Sequence, residues 1–222
     1  MGRRRSAVRQ RADRNRGVGV VSRFLFVVGI AALSPYSSIA ATASDSDWPC
    51  QQRLVPTLSA GMMWNGPPID DVGDWRSDPP VRELVERIVP REVGTGQGAA
   101  AIKAFVEKLG SDKTQPIGRV FSGLLEETNH ERAEVIERIK DLGQRQRNLA
   151  ALIDRLTTEL GAMPDAEHGE GSPARTELQQ RLTYTSRTYA EVQRTMRYAC
   201  EVPKSLDARL GAYARALESA LH

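Results

Sequence analysis

The chain has 222 residues, of which 40% are hydrophobic, 27% charged and 5% aromatic, and its formal net charge is +3. This composition excludes collagen-like, disulfide-dense and highly charged disordered proteins. No apolar run approaches the roughly 20 residues that a membrane-spanning helix needs, which excludes a polytopic membrane protein.

Residues 1–43 have the pattern of an export signal. Phe24 to Leu33 form an apolar region, and the small residues that follow include two cleavage-type sites, which end at Ala40 and Ala43. The segment before them is made basic by Arg3, Arg4, Arg5, Arg9, Arg11, Arg14, Arg16 and Arg23. Because the apolar region is too short to anchor stably in a bilayer, we expect cleavage and a periplasmic or secreted chain, held at the membrane only if the signal stays uncleaved.

Removal of this signal changes the charge of the protein. Residues 44–222 keep 23 basic and 27 acidic residues, so the mature chain has a net charge of −4. Binding to nucleic acid needs a basic surface that displaces counterions from phosphates. The sequence therefore gives no indication of a nucleic-acid partner.

The two cysteines of the chain, Cys50 and Cys200, both lie in the mature part. An oxidising compartment favours their pairing, and two cysteines allow one intramolecular connectivity. We expect a structural disulfide; free thiols and an intermolecular bridge are the alternatives. Neither cysteine lies in a C-x-x-C motif or beside a histidine, as a catalytic thiol typically does.

Residues 44–78 are predicted to form an extended strap rich in proline and tryptophan. Half of the twelve prolines fall between residues 44 and 80, and proline removes a backbone donor and interrupts helices. The three tryptophans of the chain, Trp48, Trp64 and Trp75, also lie here. We expect them to clamp the strap onto a helical body, because each indole buries a large apolar area. A tryptophan-lined ligand cleft is the alternative.

The first helices are predicted to be short. Asp78-Pro79 reads as an N-cap followed by proline at the first helical position, which predicts a helix over 79–89 that Pro90 ends. A second helix is predicted over 98–109. The glycine-rich run 94–98 before it resembles a phosphate-binding loop, but the lysine of a P-loop and its preceding strand are missing, so we interpret it as a linker.

A much longer helix is predicted over 116–163. Its apolar positions repeat at alternating steps of four and three residues, the period of a coiled coil, and nine of the twelve positions are apolar. They are Phe121, Leu125, Thr128, Arg132, Val135, Ile139, Leu142, Gln146, Leu149, Ile153, Leu156 and Leu160. Arg132 is the one charged residue among these twelve, and we expect it to reach solvent along the helix surface or to pair with an acidic residue of a facing helix.

Residues 173–221 are predicted to return along this helix. Ser172-Pro173 repeats the pattern of an N-cap followed by proline, which predicts the start of a helix. Pro203 is expected to break or kink this returning helix. The seam comprises Leu178, Leu182, Thr185, Tyr189, Val192, Met196 and Ala199, then Leu206, Leu210, Tyr213, Leu217 and Leu221. We therefore predict an all-α fold over 79–222: a long antiparallel, coiled-coil-like hairpin with two short helices at its open end. Residue 200 should face residue 136, and the strap should cross near the middle.

Metal and catalytic sites are not predicted. The histidines are His130, His168 and His222, and none has a partner at metal-ligand spacing. The acidic loop of Asp70, Asp71, Asp74 and Asp78 does not match a calcium-binding loop. We interpret these side chains as solvated turn residues, with Asp78 as a helix cap. No cofactor is indicated.

Three short motifs carry a resemblance. They are WPCQQRLVP at 48–56, MMWNGP at 62–67 and YACEVP at 198–203. On a signal-bearing helical chain they resemble uncharacterised exported helical proteins of bacteria. The resemblance implies secretion and a helical fold and is compatible with a Cys50–Cys200 link. It implies no activity.

The function that these patterns favour is a non-enzymatic one. We expect a periplasmic adaptor, scaffold or accessory subunit that presents a long helical surface to a protein partner. Candidate contact residues are Tyr184, Tyr198, Arg145, Arg147, Arg187 and Arg194. The alternative is a module that binds a small molecule or sugar through Trp48, Trp64 and Trp75.

Overall fold

The computed structural model describes residues 47–163 and 172–221, and the regular secondary structure of these two ranges is helical. The elements are α1 (Ala60–Met63), a 3-10 turn (Trp75–Ser77), α2 (Pro79–Ile88), α3 (Thr95–Val106), α4 (Thr114–Ala162) and α5 (Pro173–Glu218). Helix α4 packs extensively against α5, which confirms the all-α helical hairpin. The predicted signal peptide over 1–43 lies outside the described residues. None of the described helices is long and apolar enough to cross a membrane.

The local signals at the start of α2 act as predicted. The Asp78 carboxylate accepts a hydrogen bond from the Val81 amide, and Pro79 occupies the first turn, where its missing N–H is not needed. The helix then buries one apolar face and ends at Ile88, one residue before the predicted end.

Helix α3 begins earlier than predicted. It starts at Thr95 rather than at residue 98, so the glycine-rich run is the first turn of a helix and not a linker, and it ends at Val106 rather than at residue 109. Close packing explains the composition of this turn. A Cβ atom at Gly98 would lie 2.1 Å from Oη of Tyr213 on α5, so only glycine lets the two helices approach this closely.

The seam of the hairpin follows the predicted positions. All predicted seam residues of α4 and α5 are buried or half-buried. Gln146 on α4 donates a hydrogen bond to Tyr189 on α5 at 3.2 Å, and Cys200 packs in a cluster with Val135 and Ile139. This antiparallel register agrees with the predicted pairing of residue 200 with residue 136. With 49 residues, α4 is about 73 Å long at 1.5 Å per residue.

The predicted break at Pro203 is wrong, because α5 runs as one helix of 46 residues through this position. Proline in a helix removes one hydrogen bond, at a cost of about 3 kcal/mol. The carbonyl that loses its helical donor is that of Ala199, and two other carbonyls close to it accept hydrogen bonds from elsewhere in the chain. Gln52 of the strap donates to the Cys200 carbonyl, and Arg132 of α4 donates to the Pro203 carbonyl. Tertiary contacts thus support the helix where its own backbone ladder is weakened.

The two short helices close the open end of the hairpin, as predicted. Helix α3 packs on α5, and α2 packs on both α3 and α4. They form one hydrophobic core with the start of α4 and the end of α5. Its fully buried members include Val81, Leu84, Val85, Ile88, Ile102, Ile117, Val120, Phe121, Leu124, Leu210, Tyr213 and Leu217.

The strap runs along α4 in the opposite direction. Pro49 lies against Gly143, where a Cβ atom would be 3.1 Å from the proline Cγ. Further along the strap, the Leu58 backbone exchanges two hydrogen bonds of 2.9 Å with the Asn129 side chain. The strap is less irregular than predicted, since it contains α1 and the 3-10 turn. It crosses the hairpin near its middle and then follows α4 toward the open end.

Candidate functional site

A disulfide fixes the strap to the middle of the hairpin. Cys50 and Cys200 are bonded, with their Cα atoms 5.7 Å apart, so the intramolecular alternative is the one observed. Around the bond, Cys200 and Met196 of α5 form a small hydrophobic cluster with α4, and Trp48 packs against it. The Trp48 indole N–H donates to the Gln52 carbonyl at 2.7 Å, which closes a tight turn around Cys50.

A groove of about 1040 Å³ lies beside this disulfide. One wall is the strap and the other is the outer surface of α5. Neither wall alone would be concave, since the outer face of a helical hairpin is convex. The lining side chains of the strap come from 49–52, and those of the hairpin are Gln146, Gln193, Arg194, Met196, Arg197, Tyr198, Cys200, Glu201 and Lys204.

The groove is basic. Lys204 pairs with Glu201 at 2.8 Å, so these two charges offset each other. Among the described residues, the guanidinium groups of Arg194 and Arg197 form no hydrogen bond or ion pair. Two positive charges without a partner among the described residues therefore remain in the groove.

An aromatic side chain marks the edge of the groove. Tyr198 is 79% exposed, and with Tyr184 and Met62 it is one of the large hydrophobic residues that stand out from the described surface. It also borders a second groove of about 380 Å³, formed with the start of α3. Exposed tyrosine is typical of binding surfaces, because its ring is apolar and its hydroxyl forms hydrogen bonds.

The tryptophans are not gathered into one cleft. Trp64 is 8% exposed and stacks on Phe121, with ring centroids 4.5 Å apart. Trp75 is 4% exposed and lies in the same core, whereas Trp48 packs at the disulfide. Each indole N–H donates to an acceptor of the chain itself, at Gln52, Pro67 and Glu126. The structure thus places the three rings in packing contacts.

The other predicted contact residues lie apart from the groove. Arg147 pairs with Asp47 at 2.8 Å at the start of the strap, and Arg145 is exposed on α4. Tyr184 and Arg187 border a shallow depression of about 290 Å³ nearer the far end of α5. Of the six candidates, Arg194 and Tyr198 line the groove.

An ion pair between a buried arginine and a partly exposed aspartate lies beneath the strap, about two helical turns along α5 from the disulfide. The guanidinium of Arg132, 2% exposed, pairs with Asp207 across the hairpin and also donates to the carbonyls of Pro203 and Val55. This confirms the second of the two expectations for Arg132. Desolvation raises the pKa of the Asp207 carboxyl, and the positive charge of Arg132 opposes this rise.

Metal-ligating side chains do not converge. Within 47–163 and 172–221, no three histidine, cysteine or acidic side chains are placed to hold a metal ion. His130 is exposed and lies 3.5 Å from Glu134 of the same helix, and Asp78 serves as a helix cap and pairs with Arg119 at 2.7 Å. His168 and His222 lie outside the described residues.

Sequence reasoning missed several groove residues. Arg197 and Lys204 lie within about one turn of Cys200 on the outer surface of α5, and Gln51 and Gln52 follow Cys50 directly. A usable signal was present, because residues adjacent to two paired cysteines must lie near each other. The side of the helix on which the strap crosses depends on packing that the sequence does not display.

Comparisons with known proteins give no further lead: no protein-family model, no curated protein and no solved structure matches the chain.

Proposed function

We propose that this protein is an exported, non-enzymatic helical adaptor of the periplasm, which binds a protein partner through the outer face of α5. One observation carries the proposal: a groove beside the disulfide combines the exposed ring of Tyr198 with the unpaired guanidinium groups of Arg194 and Arg197. Arginine and tyrosine are enriched at protein interfaces, and charges that have no partner within the chain are available for one outside it.

Export is supported by two features. The first 43 residues carry a basic segment, an apolar segment and small residues before the mature chain. The Cys50–Cys200 disulfide is a bond that forms and persists in oxidising compartments. Mass spectrometry of the exported protein tests this part, with a mature N-terminus expected directly after Ala40 or Ala43.

The structure favours a protein partner over a small ligand held by the tryptophans. Trp64 and Trp75 are almost fully buried against the helical core, and their indole N–H groups are occupied. A small-molecule site usually encloses most of its ligand with apolar and aromatic side chains. The groove instead is open, and polar and apolar groups contribute about equally to its lining, which is typical of a surface that receives part of another protein.

Site-specific photo-crosslinking tests the proposal. A benzoyl-phenylalanine residue replaces Tyr198 in one variant and the exposed Arg138 of α4 in a control variant, and both are expressed in the native periplasm. We expect one protein to be captured from position 198 and not from position 138. Capture of no protein from position 198, or the same products from both positions, would refute the proposed adaptor function.

A further inference from the structure

We infer that the groove beside the disulfide binds an extended acidic segment of the partner protein, with carboxylates on alternate residues that pair with Arg194 and Arg197. This inference rests on the proposed adaptor function and specifies what the adaptor recognises. It follows from the dimensions of the groove, the spacing of the two arginines and the polar groups around them.

The length of the groove suits a short extended peptide. Its α5 wall extends from Gln193 to Lys204, eleven residues apart, which corresponds to about 16 Å along the helix axis. An extended chain rises about 3.3 Å per residue. The groove therefore accommodates about five residues of an extended segment.

The spacing of the arginines determines the pattern of the acidic residues. Arg194 and Arg197 are three residues apart on α5, which separates their backbones by about 4.5 Å along the axis. Alternate residues of an extended chain lie about 6.6 Å apart and point to the same side. The long arginine side chains span this difference, and each planar guanidinium can bind one carboxylate through two hydrogen bonds.

The remaining groups of the groove suit a peptide backbone. Within the described residues, the side-chain amides of Gln51 and Gln193 form no hydrogen bond, so both can donate to and accept from a bound chain. Tyr198 offers an aromatic face at the rim. Lys204 is paired with Glu201, so the attraction for acidic residues is concentrated around the two unpaired arginines.

A second copy of the chain fits this groove less well than an acidic segment. A two-fold symmetric dimer places the same patch of both subunits together. Arg194 and Arg197 would then face the same two arginines, and like charges brought together oppose association. Charge complementarity favours an acidic partner instead.

Fluorescence anisotropy of a labelled peptide tests the inference on the mature chain with its disulfide intact. The probe is a fluorescein-labelled peptide Gly-Ser-Glu-Tyr-Glu-Ser-Gly, and the comparison peptide replaces both glutamates with glutamine. We expect saturable binding of the acidic peptide that weakens with added salt, and binding of the glutamine peptide that is at least tenfold weaker.

A pair of charge-reversal variants shows where the peptide binds. The double substitution Arg194→Glu and Arg197→Glu should weaken binding at least tenfold. The matched control, Arg155→Glu with Arg181→Glu, makes the same charge change on exposed arginines of the hairpin outside the groove and should alter binding less than twofold. Circular dichroism checks that all variants keep the helical content of the wild type.

Three outcomes would overturn the inference. Equal binding of the glutamine peptide would exclude carboxylate recognition, and equal losses in both charge-reversal variants would exclude the groove. Heparin that binds through the same arginines more tightly than the peptide would assign the groove to a sulfated polysaccharide.

The crosslinking experiment separates this inference from the proposed function. Capture from position 198 that survives reversal of Arg194 and Arg197 would leave the adaptor function standing and refute the acidic segment. Peptide binding without any captured protein would refute the adaptor function and leave the specificity of the groove in place.

Discussion

The buried guanidinium of Arg132 provides the sharpest test of the fold, because it joins three parts of the chain. It pairs with Asp207 of α5, and it donates to the carbonyls of Pro203 on α5 and Val55 of the strap. Replacement by methionine (R132M) keeps an unbranched apolar stem in place of the first part of the arginine side chain and removes the charge and all of these hydrogen bonds. We expect this variant to be strongly destabilised.

The contacts of Arg132 and Asp207 determine how much unfolding free energy R132M should lose. Removal of one partner of a buried ion pair lowers the free energy of unfolding by about 3–5 kcal/mol, because the other charge remains without compensation. The side chain of Asp207 is 38% exposed, so water solvates part of the stranded carboxylate. We therefore expect a loss of about 3 kcal/mol in the free energy of unfolding, at the lower end of this range.

The pH dependence of R132M identifies the cause of the loss. Desolvation already raises the pKa of Asp207, and without the opposing charge of Arg132 it should rise further. A carboxyl whose pKa is raised in the folded state stabilises that state when protonated, and the contribution is lost as the pH rises through the folded-state pKa. The unfolding free energy of R132M should therefore increase relative to the wild type as the pH falls from neutral through that pKa.

Urea unfolding, followed by tryptophan fluorescence and circular dichroism, measures these changes. The second substitution Asp207→Asn should restore at least half of the loss, because it removes the stranded charge. The control Arg138→Met changes a side chain that is 70% exposed on the same helix and should cost less than about 0.5 kcal/mol. If R132M lost less than about 1 kcal/mol of unfolding free energy, or if the double variant were no more stable than R132M, the role assigned to the Arg132–Asp207 pair would be refuted.

Three further predictions follow from the contacts of the strap and of the open end. Replacing Cys50 and Cys200 by serine should lower the free energy of unfolding by up to about 5 kcal/mol in urea, since the bond closes a loop of 150 residues. The substitution Gly98→Ala should lower the melting temperature and the free energy of unfolding, the latter by about 1–3 kcal/mol, because the new Cβ would clash with Tyr213. The control Gly96→Ala in the same helix places its Cβ against no neighbour and should not destabilise the protein. Hydrogen bonds from the Trp75 indole, and then from Arg76, lower the pKa of the Glu126 carboxyl. The ionised carboxylate therefore stabilises the fold above the ordinary pKa of a glutamate, and this contribution is lost as the pH falls through the lowered pKa. The substitution Glu126→Gln should make the free energy of unfolding less dependent on pH in the acidic range.

Each of these three predictions would be contradicted by a specific result. Equal stability of the serine variant and the oxidised wild type would mean that the disulfide does not restrain the unfolded chain. Equal melting temperatures of the two alanine variants would show that α3 can move away from α5 without cost. An unchanged acid limb in Glu126→Gln would show that the indole hydrogen bond does not stabilise the carboxylate.

Local signals predicted much of the fold because they act over a few residues. Asp78-Pro79 and Ser172-Pro173 mark the starts of α2 and α5. In any context the capping side chain accepts from one exposed amide of the first turn, and the proline has no N–H that would need a partner there. The four-three spacing likewise identified the seam, because two long helices can bury only a narrow stripe between them.

The sequence predictions that the structure corrects concern positions whose conformation depends on contacts with distant parts of the chain. Pro203 breaks a helix by local rules, but donors from Arg132 and Gln52 support the carbonyls around it. The glycine-rich turn of α3 has a poor helix propensity, but Gly98 is needed for the close contact with Tyr213. Both cases involve partners more than 70 positions away, which a reading of neighbouring residues does not reveal.

The candidate site depends most on such long-range contacts. A hairpin of two long helices has a convex outer face, and the strap turns part of this face into a groove. The strap is held there by chemically different links: the disulfide at Cys50, the guanidinium of Arg132 at Val55 and the amide of Asn129 at Leu58. The last two hold its backbone against α4, while the disulfide and the hydrogen bond from Gln52 to the Cys200 carbonyl hold the wall that faces Arg194 and Arg197. The bond thus ties the strap to the hairpin and also shapes the surface that we propose for the partner.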